Sequence, residues 1–217
     1  MSAVVALKGA WLADRQSLDP GLGMPLAIDY GAGEAPYRSI FSTDCRYVTA
    51  DIGADSKADL RFEADSPLPA SDASAQLVLS FQVLEHVWDV GFYLSEARRV
   101  LEKDGHLLLS THGAWLYHPH PGDYRRWTRA GLIREIEAGG FEVLSVRPVV
   151  GPLAWSTQIR LLGVSFALSR LGVVGRGLAA ILALITYPRM WMEDSVTPGP
   201  IVLDNAAIYA VLARKRA

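Results

Sequence analysis

The chain has 217 residues, half of them hydrophobic and a fifth charged, with a formal net charge of -2. This composition furnishes a globular core and excludes a disordered or collagen-like chain. The near-neutral charge leaves no overall basic field to hold nucleic acid by its phosphates, and a single cysteine, Cys45, excludes an intrachain disulfide framework and a cysteine-built zinc site.

The length fits one domain, residues 1–217, with room for an insertion. Met1 to Leu12 carries one lysine and no long apolar core, so no secretory signal is expected there. The longest uncharged apolar run, Gly177 to Pro188, falls short of the roughly 20 residues that cross a bilayer. A reducing, cytoplasmic location fits the cysteine usage.

In chain order, Met1 to Leu18 reads as a helix stopped by Asp19-Pro20-Gly21. Pro25 to Tyr30 reads as a buried strand running into Gly31-Ala32-Gly33. Further strands are expected at Arg46–Asp51, Asp59–Glu63 and Ala75–Phe81, the last apolar enough to be buried on both faces. Val90 to Leu101 has helical periodicity, with Phe92, Ala97, Val100 and Leu101 along one face, and Lys103-Asp104-Gly105 punctuates its end. His106 to Thr111 is the fifth strand. Thr128 is placed to cap a helix running to Ala138, closed by Gly139-Gly140. Phe141–Val146 and Ala206–Ala213 are the last two strands. Alternating short apolar strands and helices predict an α/β fold, a doubly wound, mostly parallel sheet. Ligands of such sheets bind beyond the carboxyl ends of the strands.

The run Ala27-Ile28-Asp29-Tyr30-Gly31-Ala32-Gly33-Glu34-Ala35-Pro36-Tyr37 is a glycine turn after a strand, which serves either a dinucleotide or S-adenosylmethionine. Electrostatics separates the two. A dinucleotide turn seats a pyrophosphate and uses a third glycine, where this chain has Pro36. Asp29 and Glu34 would repel a pyrophosphate, whereas S-adenosylmethionine carries an ammonium and a sulfonium that suit nearby carboxylates. Asp51, ending the second strand, is placed to accept from both ribose hydroxyls of either ligand.

The ordered pieces AIDYGAGEAPY, YVTADIG, SPLPASDASAQLVLSFQVLEHV, EARRVLEKDGHLLLST and the helix leading to GGFEV resemble the class I S-adenosylmethionine-dependent methyltransferases, most closely the branch labelled methyltransferase type 11. The resemblance covers about Pro25 to Val146 and the final strand. It implies a seven-stranded sheet with an antiparallel last strand, and methyl transfer from S-adenosyl-L-methionine. Carried over by position, Asp29, Gly31 and Gly33 would line the methionine half of the cofactor, and Asp51 would hold the ribose. Asp65 would meet the adenine amino group, with Glu63 as its rival, and Phe81 and Gln82 would lie near the methyl donor. The chain departs from the family at Ala35, where glycine is common, and at Gln76, where aspartate is common.

The loop Thr111 to Thr128 is dense in histidine, aromatic and arginine residues. Methyl transfer to a hydroxyl benefits from a general base. His86, His112, His118, His120 and Asp123 are available, and His118 or His112 is the expected base. The HPHPGDYRRWT run resembles a pattern in type 11 enzymes of glycan-building functions, which implies a sugar, glycan, glycolipid or other small acceptor. Trp115, Tyr117, Tyr124 and Trp127 would stack on sugar faces, and Arg125 or Arg126 would hold a carboxylate or phosphate. The same run also reads as a stiffened loop in which Asp123 pairs with Arg126. No metal is expected, because His118 and His120 lie across prolines without an evident carboxylate partner set.

Residues 151–192 are apolar, contain Arg160, Arg170, Arg176 and Arg189, and hold no acid. They read as a helical insertion with three candidate uses: a lid, a homodimer surface, or a peripheral membrane contact. Two other readings of the whole chain remain, a nucleotide-linked oxidoreductase and a non-catalytic scaffold subunit at a membrane.

Overall fold

The structure is a computed structural model in which residues 2–18 and 24–216 are described. Two compact units emerge, Met1–Arg147 with Tyr209–Ala217, and Pro148–Ile208.

The first unit is built on a sheet. α1 (Ser2–Leu18) buries Val4, Leu7 and Trp11 at helical spacing. Its polar edge is tied down by a Lys8–Asp44 ion pair and by Asp14, which sits 2.7 Å from Nε2 of His106. The expected stop at Asp19-Pro20-Gly21 lies outside the described residues. β1 (Leu26–Tyr30) leads through a turn to the short α2 (Arg38–Phe41). β2 (Arg46–Ile52), β3 (Leu60–Phe62) and β4 (Ala75–Phe81) follow. A 3-10 turn, Leu84–His86, precedes α3 (Val90–Val100), whose N-cap Asp89 accepts from Phe92 N at 2.9 Å.

β5 runs from Leu101 to His112, earlier than the sequence suggests. Lys103-Asp104-Gly105 is not a stop but an irregularity inside the strand. Leu101 pairs with Ala75 and His106 with Leu77, so the extra residues bulge out, with Asp104 at φ 60°. The buried face of α3 is Tyr93, Leu94, Ala97 and Val100, rather than one containing Phe92. α4 (Arg129–Ala138) is capped by Thr128, whose Oγ1 accepts from Gly131 N at 3.1 Å. β6 (Phe141–Val149) and β7 (Ile208–Lys215) complete a seven-stranded sheet of order β3-β2-β1-β4-β5-β7-β6. The pairs β1–β2, β1–β4, β2–β3 and β4–β5 are parallel, and the last strand is antiparallel.

β4 and the second half of β5 are almost wholly buried, as parallel strands covered on both faces must be. Gln76, in the central strand β4, links its two neighbours β1 and β5. Its Oε1 accepts from Leu26 N and its Nε2 donates to Glu102, both at 2.6 Å. The chain after β3 is clasped by Arg99, which donates to the carbonyls of Leu68 and Ala70 and to Glu96 and Asp72 at 2.6–2.9 Å.

The second unit contains α5 (Pro152–Ser169), α6 (Gly172–Val196) and α7 (Gly199–Asp204). The insertion is therefore helical and continues past residue 192 to Asp204. The apolar run Gly177 to Pro188 sits within α6, whose 25 residues are long and apolar enough to cross a bilayer by length and composition, which corrects the expectation drawn from the run alone.

Asp29, near the end of β1, is 2 % exposed and accepts a hydrogen bond from the Tyr47 hydroxyl. Burial is the main cause that pushes its carboxyl from 3.8 up to about 6, with the Tyr47 bond opposing and Asp51 adding to the rise. A carboxyl that holds its proton more tightly folded than unfolded contributes stability below about pH 4 and loses it as pH rises through about 6. The wild type should lose on the order of 3 kcal/mol relative to Asp29→Asn between about pH 4 and pH 7. Urea denaturation of both proteins across that range checks this, and parallel pH curves would refute it.

Candidate active site

At the carboxyl ends of β1, β2 and β4 a cavity of about 400 Å³ opens in the sheet unit. That volume falls within the usual range for small-molecule sites. Its β1 wall is the glycine turn. Gly31 N and Ala32 N both donate to Ala50 O, at 2.8 and 3.1 Å, which folds the chain back over β2. Gly31 has φ 87°, and a Cβ there would stand 2.5 Å from Cγ2 of Val83. Only glycine fits that contact. Gly33 has φ 51° with open space around it. Ala35 also has positive φ, 50°, which explains why glycine suits the position.

Asp51 lines the cavity, and its Oδ2 accepts from Gly33 N at 2.7 Å while Oδ1 accepts from Ile52 N at 2.8 Å. Asp65, at φ 56°, also lines the cavity, beside Phe62 and Ala64, whereas Glu63 does not. Gln82, at φ 57°, lines it too and donates to Ser110 Oγ at 2.9 Å. Asp29 lies buried behind the turn. Phe81 is buried against Tyr37 and Phe41 and does not line the cavity. Glu34 is exposed and also stands away from it. The acids lining the cavity are thus Asp51 and Asp65. No lysine or arginine is among the described residues lining the cavity. The carboxylates expected beside the turn, Asp29 and Glu34, are not among the lining residues; the two that line the cavity are Asp51 and Asp65.

The opposite wall is made by Val83, His86, Val87, Trp88, Phe92 and the loop before α4. His86 Nδ1 pairs with the carbonyl oxygen of Gly122, which can only accept. The proton of neutral His86 therefore sits on Nδ1, and Nε2 is left as the acceptor. His120, Pro121, Gly122 and Tyr124 line the same end, and the Trp88 and Tyr124 rings meet edge to face at 5.2 Å.

His112 and His118 do not line the cavity. His112 is 3 % exposed, stacks on Trp115 at 4.9 Å, and meets the His118 ring edge-on at 5.0 Å. His118 in turn meets His86 at 4.9 Å. Behind them stands Glu85, fully buried. Its Oε2 accepts from Thr111 Oγ1 at 2.8 Å, and its Oε1 lies 2.8 Å from His112 Nδ1, off the line of a directed hydrogen bond. Burial alone would raise the Glu85 carboxyl, but His112 and Thr111 hold it below its ordinary value. Glu85, His112 and His118 present ligand-type atoms within 4.8 Å of one another, a donor set that is able to hold a metal ion. The sequence offers no evident carboxylate partner set for His118 and His120; in the structure His118 is grouped with His112 and with Glu85, which comes from a different loop.

Both arginines of the loop are engaged within the protein. Arg125 donates to the carbonyls of Val87 and Trp88 at 2.7 and 2.9 Å. Arg126 pairs with Asp123 at 2.8 Å and reaches Trp115 O and Leu116 O. That pair holds the Asp123 carboxyl far below its ordinary range. Of the loop's aromatic residues only Tyr124 lines the cavity, where it joins Trp88, Phe92, Tyr93, Tyr30 and Phe62; Trp127 is buried elsewhere.

Residues 28–109 match the family model of the type 11 methyltransferase domain. The chain is 34% identical over 139 residues to a Mycolicibacterium smegmatis protein named "Probable S-adenosylmethionine-dependent methyltransferase", covering 60% of this chain and 53% of that protein. The chain thus spans about half the length of this curated relative. Among solved structures, it is similar to the Burkholderia thailandensis 1,6-didemethyltoxoflavin-N1-methyltransferase, with bound 1,6-didemethyltoxoflavin and S-adenosylhomocysteine (TM-score 0.58, 14% identity, 99% of this chain and 77% of the other). It is also similar to the [4+2]-cyclase SpnF (TM-score 0.57, 18% identity, 98% and 81%). Both likenesses speak for the fold alone. The strand order and the glycine turn agree with the family match: residues 28–109 carry a type 11 methyltransferase domain, and the chain is similar to S-adenosylmethionine-dependent methyltransferases over the stretch it shares with them.

Proposed function

We propose that the sheet unit binds S-adenosylmethionine in the 400 Å³ cavity and directs its methyl group to a hydroxyl of a sugar, glycan or glycolipid acceptor. The observation that carries the reading is a cavity with a glycine turn on one wall, two carboxylates and no lysine or arginine among its described lining residues, and a histidine–aromatic wall opposite. Asp51 accepts from the ribose hydroxyls. Asp65 accepts from the adenine amino group. The turn at Gly31 and Gly33 admits the methionine half, and Gln82 borders the reacting end. The bound cofactor supplies an electrophilic methyl group.

The acceptor end is the work of the chain's own residues. Trp88 and Tyr124 offer flat faces to a sugar ring. His86, whose Nδ1–H is held by the Gly122 carbonyl, takes the acceptor's hydroxyl proton on Nε2. His118, His112 and Glu85 stand behind it and hold its surroundings, so they are positioning residues in this reading. A [4+2]-cyclase with the same fold shows that the fold does not dictate the reaction, which makes binding the first test.

Titration calorimetry should show S-adenosylhomocysteine binding and no NAD binding. NAD binding alone, or binding of neither, would overturn the reading. Asp51→Ala should weaken S-adenosylhomocysteine binding by about 10–100-fold through loss of the ribose acceptor, and unchanged affinity would remove Asp51 from that role.

The acceptor class is found by a labelled methyl-transfer screen of cell extracts fractionated into lipids, glycans, small molecules and proteins. With the active fraction, His86→Gln should lower kcat by about 10²–10⁴-fold and leave S-adenosylhomocysteine affinity unchanged. An unaltered rate would clear His86. A chelator should leave the wild-type rate intact. A chelator-sensitive rate restored by zinc would instead make Glu85, His112 and His118 a metal centre.

A further inference from the structure

The unit Pro148–Ile208 carries a surface that methyl transfer does not use. α5 and α6 form an antiparallel hairpin joined by Arg170 and Leu171. At its root Thr157 Oγ1 donates to Glu193 at 2.9 Å and Gly151 N donates to Asp194 at 2.7 Å. Near its tip the two backbones touch. A Cβ on Gly175 would stand 1.8 Å from Leu168 O.

The side of α6 turned away from α5 is apolar along its whole length. On a helical wheel of about 100° per residue, Val173, Val174, Ile181, Leu184, Ile185 and Trp191 fall within an arc of about 120°. They are 59–75 % exposed. Arg176 and Arg189 lie about 40–60° beyond the two edges of that arc. Gly175 and Glu193, which touch α5, lie roughly opposite. Phe166 and Leu171, 68 and 61 % exposed, extend the apolar surface around the tip.

Soluble monomers rarely leave so continuous an apolar face in water. Charge decides what covers it. Residues 151–192 hold four arginines and no acid; Glu193 and Asp194 lie at the hairpin's root and Asp204 ends α7. Arg189 is paired with Glu193 at 2.8 Å, while Arg160, Arg170 and Arg176 are exposed. A two-fold contact with a second copy would bring like-charged edges together, with no carboxylate on the facing surface to answer them. An apolar arc edged by arginines instead matches the boundary between acyl chains and anionic headgroups, where arginine stems lie along the apolar surface and guanidiniums reach phosphate.

We infer that the α5–α6 hairpin is a membrane-docking element, with α6 lying in the interface of a bilayer that contains anionic phospholipid. This goes beyond the methyl-transfer reading and stands or falls separately from it.

Flotation of the full chain with vesicles tests the inference. The protein should float with vesicles containing phosphatidylglycerol and lose most of that binding on pure phosphatidylcholine or in high salt. Arg176→Glu should weaken binding to anionic vesicles about fivefold or more, since each basic residue near the surface contributes about that factor. Leu184→Glu with Ile185→Glu should abolish flotation. Both positions face outward, and an unchanged circular dichroism spectrum and S-adenosylhomocysteine affinity would show that the fold survives. Failure of the wild type to float on anionic vesicles, or flotation untouched by the double variant, overturns the inference. So does concentration-dependent dimerisation in the ultracentrifuge that the double variant removes, which would assign the face to a second copy.

Discussion

The contact on which the site depends is the one between Gly31 and Val83. β1 and β4 are neighbours in the centre of the sheet, and the chain leaves their carboxyl ends in different directions. The first turn passes within van der Waals reach of the second only because Gly31 has no side chain and adopts a left-handed backbone. The backbone bonds from Gly31 and Ala32 to Ala50 then fix the turn over β2, and Asp51, one residue on, catches Gly33 N. Strand order, turn geometry and the placement of a carboxylate at the cavity edge therefore form one linked arrangement, at the point where open α/β sheets place their ligands.

Most of the fold was legible because its signals are local. β4 matched its expected bounds to the residue, since an unbroken apolar run between turn residues leaves little choice. Thr128 capped its helix as its side chain predicts. What failed was local chemistry overridden by pairing. Lys103-Asp104-Gly105 reads as the connection between α3 and a strand starting at His106, yet β5 already begins at Leu101, because β4 supplies partners on both sides of the irregularity. The end of the insertion was also misplaced, because the acids at Glu193 and Asp194 look like a boundary when they are in fact the bonds that close the hairpin's root.

Of the residues expected around a cofactor most line the cavity, whereas most of those expected around an acceptor do not. Asp51, Asp65, Gly31, Gly33 and Gln82 line or shape the cavity, as their positions after successive strands implied. Asp29 and Phe81 lie within the ends of β1 and β4, where their side chains are buried against Tyr47, Tyr37 and Phe41. The histidine loop is long, and nothing in its spacing says which ring faces the ligand. That is settled by Arg125 and Arg126, whose bonds to main-chain oxygens set the path of the loop, and by Glu85, which lies in another connection. Glu85-His86 is a case where adjacent residues divide, one buried behind the wall and the other part of it.

The close approach of Gly175 to Leu168 has a mechanical consequence. The hairpin is fastened at both extremities, by side-chain bonds beside Gly151 and Thr157 and by main-chain contact at the far end. Neither arm can bend or slide without its companion, so a load applied anywhere along α6 is borne by α5 as well. The hairpin behaves as one stiff lever, and a single added methyl group at residue 175 would be enough to split it.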